Sequence, residues 1–244
     1  MKQNNTLFIP ARTLSSGATV PSWEYHAHTT FSDGVDAPDL VIESAIDRGM
    51  QRLIITEHTE LELTAGPDWF RSYMETMDWM QKRYADRLDL RAGLEVPIRD
   101  EEGNLLLPEP NMLEKSAFIL GAVHVYPGFT WHDMPHLEPE MAIEIEFRGL
   151  MQLAEHPDVD AIAHPGGICH KHITPFPMTL FDEVVKKATA HGIAIELNPA
   201  YQEPLLPYLK VCQRHDALIS PGSNAHNADD IGLAWEALTE LVSA

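Results

Sequence analysis

Cysteine is scarce in this chain: only Cys169 and Cys212 occur among 244 residues. Two thiols cannot build a disulfide framework, and they exclude a zinc centre made of thiolates. The expected setting is the reducing cytoplasm. Basic residues are scarce as well, with 17 Lys+Arg against 37 Asp+Glu and a formal net charge of −20. A protein that grips nucleic acid normally offers phosphates a basic face. This chain has little to spare for one, so a small molecule is the expected partner and nucleic acid is not. The acidity otherwise serves to keep the surface soluble. No apolar run approaches the length of a membrane span. The first twenty or so residues lack the basic-then-apolar order of a signal peptide, so none is expected, and with no long apolar run no membrane partner is expected either. Nothing in the sequence marks an oligomeric state. Internal repeats, low-complexity tracts and convincing linkers are also missing. Residues 1–244 therefore read as one domain, with residues 1–21 as an irregular lead-in carrying Pro10, Gly17 and Pro21.

What is present is an alternation of two kinds of segment. Short apolar runs, predicted as strands buried on both faces, lie near 23–28, 52–56, 89–95, 117–124, 160–164, 193–197 and 217–222. Helical patterns lie near 38–49, 69–86, 139–155, 178–191, 204–214 and 228–243. Pro38 suits a first helical turn, while Gly49 and Gly192 suit helix ends. Such alternation predicts parallel β/α units. Two excursions interrupt it: a hairpin turn at Asp100-Glu101-Glu102-Gly103-Asn104, and a loop over residues 126–137 carrying Trp131, His132 and His136.

The carboxyl ends of the predicted strands carry metal-ligand chemistry, again and again. The runs lead into His26-Ala27-His28, Glu57-His58, Glu95, His124, His164 and Asn224-Ala225-His226. A β/α barrel places its active site at that end of its strands. His26 and His28 are two apart on a strand and face the same side. Asp33, in Ser32-Asp33-Gly34, ligates a metal, caps the coming helix or supports a turn. Of Glu57 and His58, one is a ligand candidate and the other a partner that orients it. Glu95 is either a bridge between ions or half of a buried ion pair with Arg99 or Arg91. Glu196 reads mainly as a structural hydrogen-bonding group. Imidazoles with carboxylates, in the absence of thiolates, suit zinc, manganese or iron.

Taken together, His26-Ala27-His28 with Ser32-Asp33-Gly34, Thr56-Glu57-His58, Gly93-Leu94-Glu95, Gly121-Ala122-Val123-His124, Ile162-Ala163-His164-Pro165-Gly166 and Gly222-Ser223-Asn224-Ala225-His226 resemble the PHP (polymerase and histidinol phosphatase) family of metal-dependent phosphoesterases. The pieces stand in the family's order over about residues 23–232. The resemblance implies a distorted (β/α)7 TIM-like barrel and up to three divalent ions. It assigns His26, His28, Glu95 and Asn224 to the first ion. Asp33, His58 and His226 go to the second, with Glu95 as a bridge, and His124 and His164, again with Glu95, to the third. The family usually has Asp where this chain has Asn224, which predicts weaker binding of the first ion.

The implied activity is hydrolysis of a small phosphate ester, mono- or diester, by a water shared between ions and held as hydroxide. Glu95, His226 and Asn224 are the residues expected nearest the chemistry. Arg99, Arg148, Lys171 and His132 are the candidates for contacting substrate, and Gly166-Gly167 either offers backbone N–H groups to a phosphate or forms only a tight turn. Rival readings are a metal-dependent amidohydrolase acting on C–N or ester bonds, and a metal-binding regulatory domain weakened at Asn224. The first would favour a strand-end lysine, and none is predicted here.

Overall fold

A computed structural model describes residues 7–109, 111–124, 136–171 and 174–243. Its strands are β1 (Ile9–Pro10), β2 (Trp23–Glu24), β3 (Arg52–His58), β4 (Asp89–Pro97), β5 (Phe118–Ala122), β6 (Ala161–Ile162), β7 (Ala194–Leu197) and β8 (Leu218–Pro221). The helices are α1 (Pro38–Asp47), α2 (Trp69–Tyr84), α3 (Met112–Lys115), α4 (Pro139–Leu153), α5 (Gly167–Lys171), α6 (Met178–His191), α7 (Leu205–His215) and α8 (Leu233–Ser243). All eight strands form one curled sheet in the order β1-β8-β7-β6-β5-β4-β3-β2. Neighbours from β2 to β8 run parallel, while β1 is antiparallel to β8. Backbone bonds beyond β2 and β8 stitch the two ends together: Tyr25 N–H donates to Pro221 C=O (2.9 Å), Ala225 N–H to His26 C=O (3.1 Å) and His28 N–H to Ala225 C=O (2.8 Å). The expected TIM-like arrangement of parallel strands with outer helices is what is found.

The helices form for the reasons the sequence suggests. Trp69, Phe70, Tyr73, Met77, Met80 and Tyr84 are the buried residues of α2, recurring every three or four positions. That spacing makes one apolar stripe, and Tyr73 at its centre donates its hydroxyl to Ile55 C=O (2.8 Å). Pro38 opens α1, and the chain passes into positive φ at Gly49 and Gly192 just beyond α1 and α6. The predicted hairpin after β4 is present, with Arg99 N–H donating to Asn104 C=O (2.7 Å) and Leu106 N–H to Pro97 C=O (2.9 Å).

The lead-in needs correction. Residues 1–21 are not merely irregular: Ile9–Pro10 forms β1, and Leu7 and Phe8 enter the barrel interior. Phe8, Tyr25 and Phe118 pack with ring centroids 5.8–6.3 Å apart. This plug seals the amino end of the barrel with apolar surface, leaving the carboxyl end open for polar chemistry. Too few apolar residues stood in a row for a two-residue strand to be legible.

Alternation of side chains fixes what faces inward. Ile54, Phe118, Leu120 and Ala122 belong to the interior cluster, and Leu53, Ile55, Ile119 and Val123 to the layer under the helices. Continuing the two-residue period sends His58 and His124 inward. On β4, Leu90, Ala92, Leu94 and Val96 pack outward, so Glu95 points in. His164 breaks the rule. Ala161 and Ala163 face the interior, so His164 would turn away. Its backbone instead adopts φ +24°, a strained conformation for a non-glycine residue, and the imidazole joins the others inside.

Candidate active site

Glu95 is the hub. It is fully buried, and its Oε1 lies 3.0 Å from His124 Nε2 and 2.8 Å from His164 Nε2. Among the described residues its Oε2 has no hydrogen-bond partner, yet three imidazole nitrogens surround it: His58 Nδ1 at 3.2 Å, His26 Nε2 at 3.3 Å and His28 Nε2 at 3.5 Å. Neither predicted arginine partner is there, for Arg91 pairs with Asp89 and Arg99 with Asp100. His28 Nε2 also lies 3.1 Å from Asn224 Oδ1. Asp33 Oδ1 is 3.4 Å from His58 Nε2 and 3.2 Å from His226 Nε2. The structure thus brings together His26, His28 and Glu95; His28, Asp33, His58 and His226; and Glu95, His124 and His164, each group with ligand atoms within 4.8 Å of one another.

The outer nitrogens of three of these rings are committed. His26 Nδ1 donates to Glu196 Oε1 (2.6 Å), His124 Nδ1 to Glu60 Oε1 (2.7 Å) and His226 Nδ1 to Asn224 C=O (2.9 Å). Each bond keeps the Nδ1 proton on the outside and turns Nε2 to the centre, where its lone pair serves a metal once any Nε2 proton has left, the arrangement a metal-binding histidine needs. A buried carboxylate oxygen without a donor, ringed by such nitrogens, fits a divalent cation. Glu196 thus has the hydrogen-bonding role expected of it, and it also accepts from His164 N–H. Glu60 was not anticipated: it follows Thr59 in a short polar stretch, with no apolar run to mark it.

Electrostatics follow from this packing. Burial would raise the Glu95 carboxyl, but His26, His124 and His58 hold it well below the usual carboxylate range. Burial would lower the His124 imidazole, but Glu95 and Glu60 hold it up at about 10. Burial would likewise raise Glu60, and His124 beside it pulls it down to about 2.

Three further buried carboxylates hold the framework. On β3 the pair resolves into two roles: His58 faces the centre, and Glu57 on the opposite face accepts from Thr29 N–H (3.2 Å) and from the Thr29 and Ser32 hydroxyls. It thereby anchors the loop that carries Asp33, and burial pushes it up to about 7 against those bonds. Glu24 accepts from His26 N–H (3.0 Å), Ser223 N–H (2.9 Å) and Gly232 N–H (3.0 Å) across the barrel seam. Glu146 of α4 accepts from Gly166 N–H (2.8 Å), Ile168 N–H (3.3 Å) and Cys169 N–H (2.8 Å). Gly167 N–H donates to His164 C=O (2.9 Å). The Gly166-Gly167 amides are therefore occupied, and the expectation that they greet a phosphate is corrected.

A pocket of about 440 Å³ opens over the cluster, lined by Asp33, His58, Glu62, Leu63, Glu95, Val123, His124, His164, Gly167, Ile168, Tyr201, Asn224 and His226. No lysine or arginine stands among these described lining residues. Arg99 does not reach it, being drawn to Asp100 in the hairpin (3.0 Å). Arg148 lies exposed on α4, donates to Glu144 one turn away (2.9 Å) and is not among the described lining residues. His132 and the Lys171 side chain lie outside the described residues. Tyr201 was missed from sequence. It accepts from Asn224 Nδ2 at 3.0 Å, and burial pushes its hydroxyl up to about 12.

The profile of the PHP domain matches residues 24–200. A probable phosphatase of Thermoanaerobacter sp. is 26% identical over 240 residues, covering 95% of this chain and 83% of its own length. One of Caldicellulosiruptor saccharolyticus is 27% identical over 222 residues, covering 85% and 81%. In three dimensions the chain is similar to the histidinol phosphate phosphatase of Lactococcus lactis, solved with zinc, L-histidinol and phosphate. The TM-score is 0.71 at 18% identity, over 91% of this chain and 92% of that one.

Proposed function

This chain belongs to the PHP domain family, and on that premise we propose that it hydrolyses a small phosphate ester with two or three divalent transition ions, zinc, manganese or iron. One observation carries the reading: the described pocket wall offers carboxylates and imidazoles but no lysine or arginine. A phosphate dianion would be repelled there unless bound ions reversed the local charge. The pocket's volume of about 440 Å³ suits a small substrate. The phosphatase names of the relatives, and the zinc and phosphate of the Lactococcus lactis protein, point the same way.

His26, His28, Glu95 and Asn224 would hold the first ion; Asp33, His58 and His226 the second, with Glu95 between; and Glu95, His124 and His164 the third. When bound, the ions supply Lewis acidity, lowering the pKa of a shared water for attack on phosphorus and offsetting charge on the phosphate oxygens. The chain's own contribution is orientation. Glu196, Glu60 and the Asn224 carbonyl hold their imidazoles in one tautomer and one direction. Glu57 steadies the Asp33 loop, and Glu146 steadies the turn after His164.

Protein purified without added metal should contain two or three transition ions per chain by elemental analysis and turn over para-nitrophenyl phosphate. Stripping with a chelator should abolish turnover, and manganese or zinc should restore it. Neither metal nor turnover, even after manganese or zinc is added, would sink the reading. Asn224→Asp adds a negative charge beside the first ion. It should tighten that ion by about tenfold in chelator competition, since ligand charge tunes affinity; unchanged affinity would place Asn224 outside the ligand set.

A further inference from the structure

One hydroxyl in the pocket has a proton that meets no acceptor among the described residues. Tyr201 sits in the loop after β7, where Tyr201 and Gln202 N–H both donate back to Asn198 C=O (3.2 and 3.1 Å). Its ring packs against His164, centroids 5.0 Å apart, on the wall of the pocket. The hydroxyl oxygen accepts from Asn224 Nδ2 at 3.0 Å. Among the described residues it donates to no acceptor.

The polarity of that bond is set by the amide. Asn224 turns its Oδ1 toward His28 Nε2 (3.1 Å) and the Glu95 cluster, which leaves the NH2 end to face the tyrosine. An NH2 group only donates, so the hydroxyl must accept, and its own O–H is left over. A carboxylate at the same place only accepts, so it would take the tyrosine proton for itself. The backbone amides nearby are no substitute, since Gly166 and Ile168 N–H already serve Glu146 and Gly167 N–H serves His164.

We propose that Asn224 and Tyr201 form a phosphate-reading pair, in which the amide faces the ion cluster with its oxygen and holds the Tyr201 hydroxyl so that its O–H donates to a phosphate oxygen of the substrate. The proposal rests on the phosphoesterase reading of the same pocket. The tyrosine stays protonated throughout and acts as a neutral donor where no described lysine or arginine reaches.

The test is equilibrium titration of manganese-loaded protein with inorganic phosphate, with elemental analysis of each sample. It uses the parent, Tyr201→Phe, Asn224→Asp and the double variant. Tyr201→Phe should keep the parent's metal content and bind phosphate about tenfold more weakly, the scale of one hydrogen bond to a charged group. In the Asn224→Asp background, the same loss of hydroxyl should change phosphate affinity by less than about twofold, because the carboxylate has already claimed the proton. Tyr201→Phe with unchanged phosphate affinity overturns the proposal. So does Tyr201→Phe with lost metal and unchanged affinity per loaded site, which would make the tyrosine a prop for Asn224. An equal tenfold loss in both backgrounds removes the role given to the amide. If the parent itself is loaded yet binds no phosphate, the phosphoesterase reading falls along with the pair.

Discussion

Glu95→Gln is expected to cost roughly a thousandfold or more in phosphatase turnover, about 4 kcal/mol of transition-state stabilisation, and to strip most bound metal. Shape is nearly unchanged by this substitution, so the loss would come from charge and donor type. Glu95 faces five imidazoles: His124 and His164 at Oε1, and His26, His28 and His58 at Oε2. It is the one carboxylate common to the first and third groups, so no neighbour can replace it. A glutamine offers one neutral oxygen and turns an NH2 donor toward ring nitrogens that would otherwise face a carboxylate, including His26 and His124, whose Nδ1 protons are already placed outside. Its NH2 end would occupy one of the two oxygen positions, so one group of imidazoles loses its acidic partner whichever way the amide is turned. The barrel does not depend on this residue for its apolar packing, and circular dichroism should show a folded protein. Elemental analysis alongside the activity assay separates the two effects. A folded variant that keeps both its ions and turnover within about tenfold of the parent would remove Glu95 from the centre of the site.

How far the sequence foretold this site depended on what each residue's direction rests on. Glu95 and His124 were legible because they continue a two-residue alternation whose outward members are plainly apolar. His164 was placed at the right strand end, but alternation alone sends it the wrong way, and only the turn of its backbone to φ +24° brings it in. Glu60, Glu146 and Tyr201 had no such signal. Each lies on a loop or helix whose approach to the site is set by packing between elements distant in sequence, as when α4 brings Glu146 under the turn at Gly166. The arginines failed for the opposite reason. Arg99 stands just after β4 and Arg148 on α4, but long exposed side chains pair with local carboxylates, here Asp100 and Glu144. Seven parallel strands were predictable from apolar runs, whereas β1, two residues long, was not.

Gly222→Ala should be the second severe change, although alanine is small and the position carries no chemistry. A Cβ on Gly222 would lie 1.9 Å from Glu196 Oε1 and 2.8 Å from His26 Cβ. Glu196 cannot give way without cost, because its two oxygens accept from His26 Nδ1 and from His164 N–H. His26 cannot move either, since it is fully buried. The collision thus combines overpacking, about 1–3 kcal/mol, with loss of a hydrogen bond to a charged group, about 1.5–3 kcal/mol. Thermal unfolding should fall by roughly 10 °C, given the few degrees per kcal/mol expected for a domain of this size. Metal affinity should fall by about 10–100-fold, the usual effect of losing a carboxylate that orients a ligating imidazole. Glu196→Gln provides the control. It keeps the volume and relieves no clash, so it should lower metal affinity with a much smaller loss of Tm. If Gly222→Ala melts with the parent and binds metal as tightly, then Glu196 does not hold His26 in place, and the fixed tautomers on which the metal reading leans lose one of their three supports.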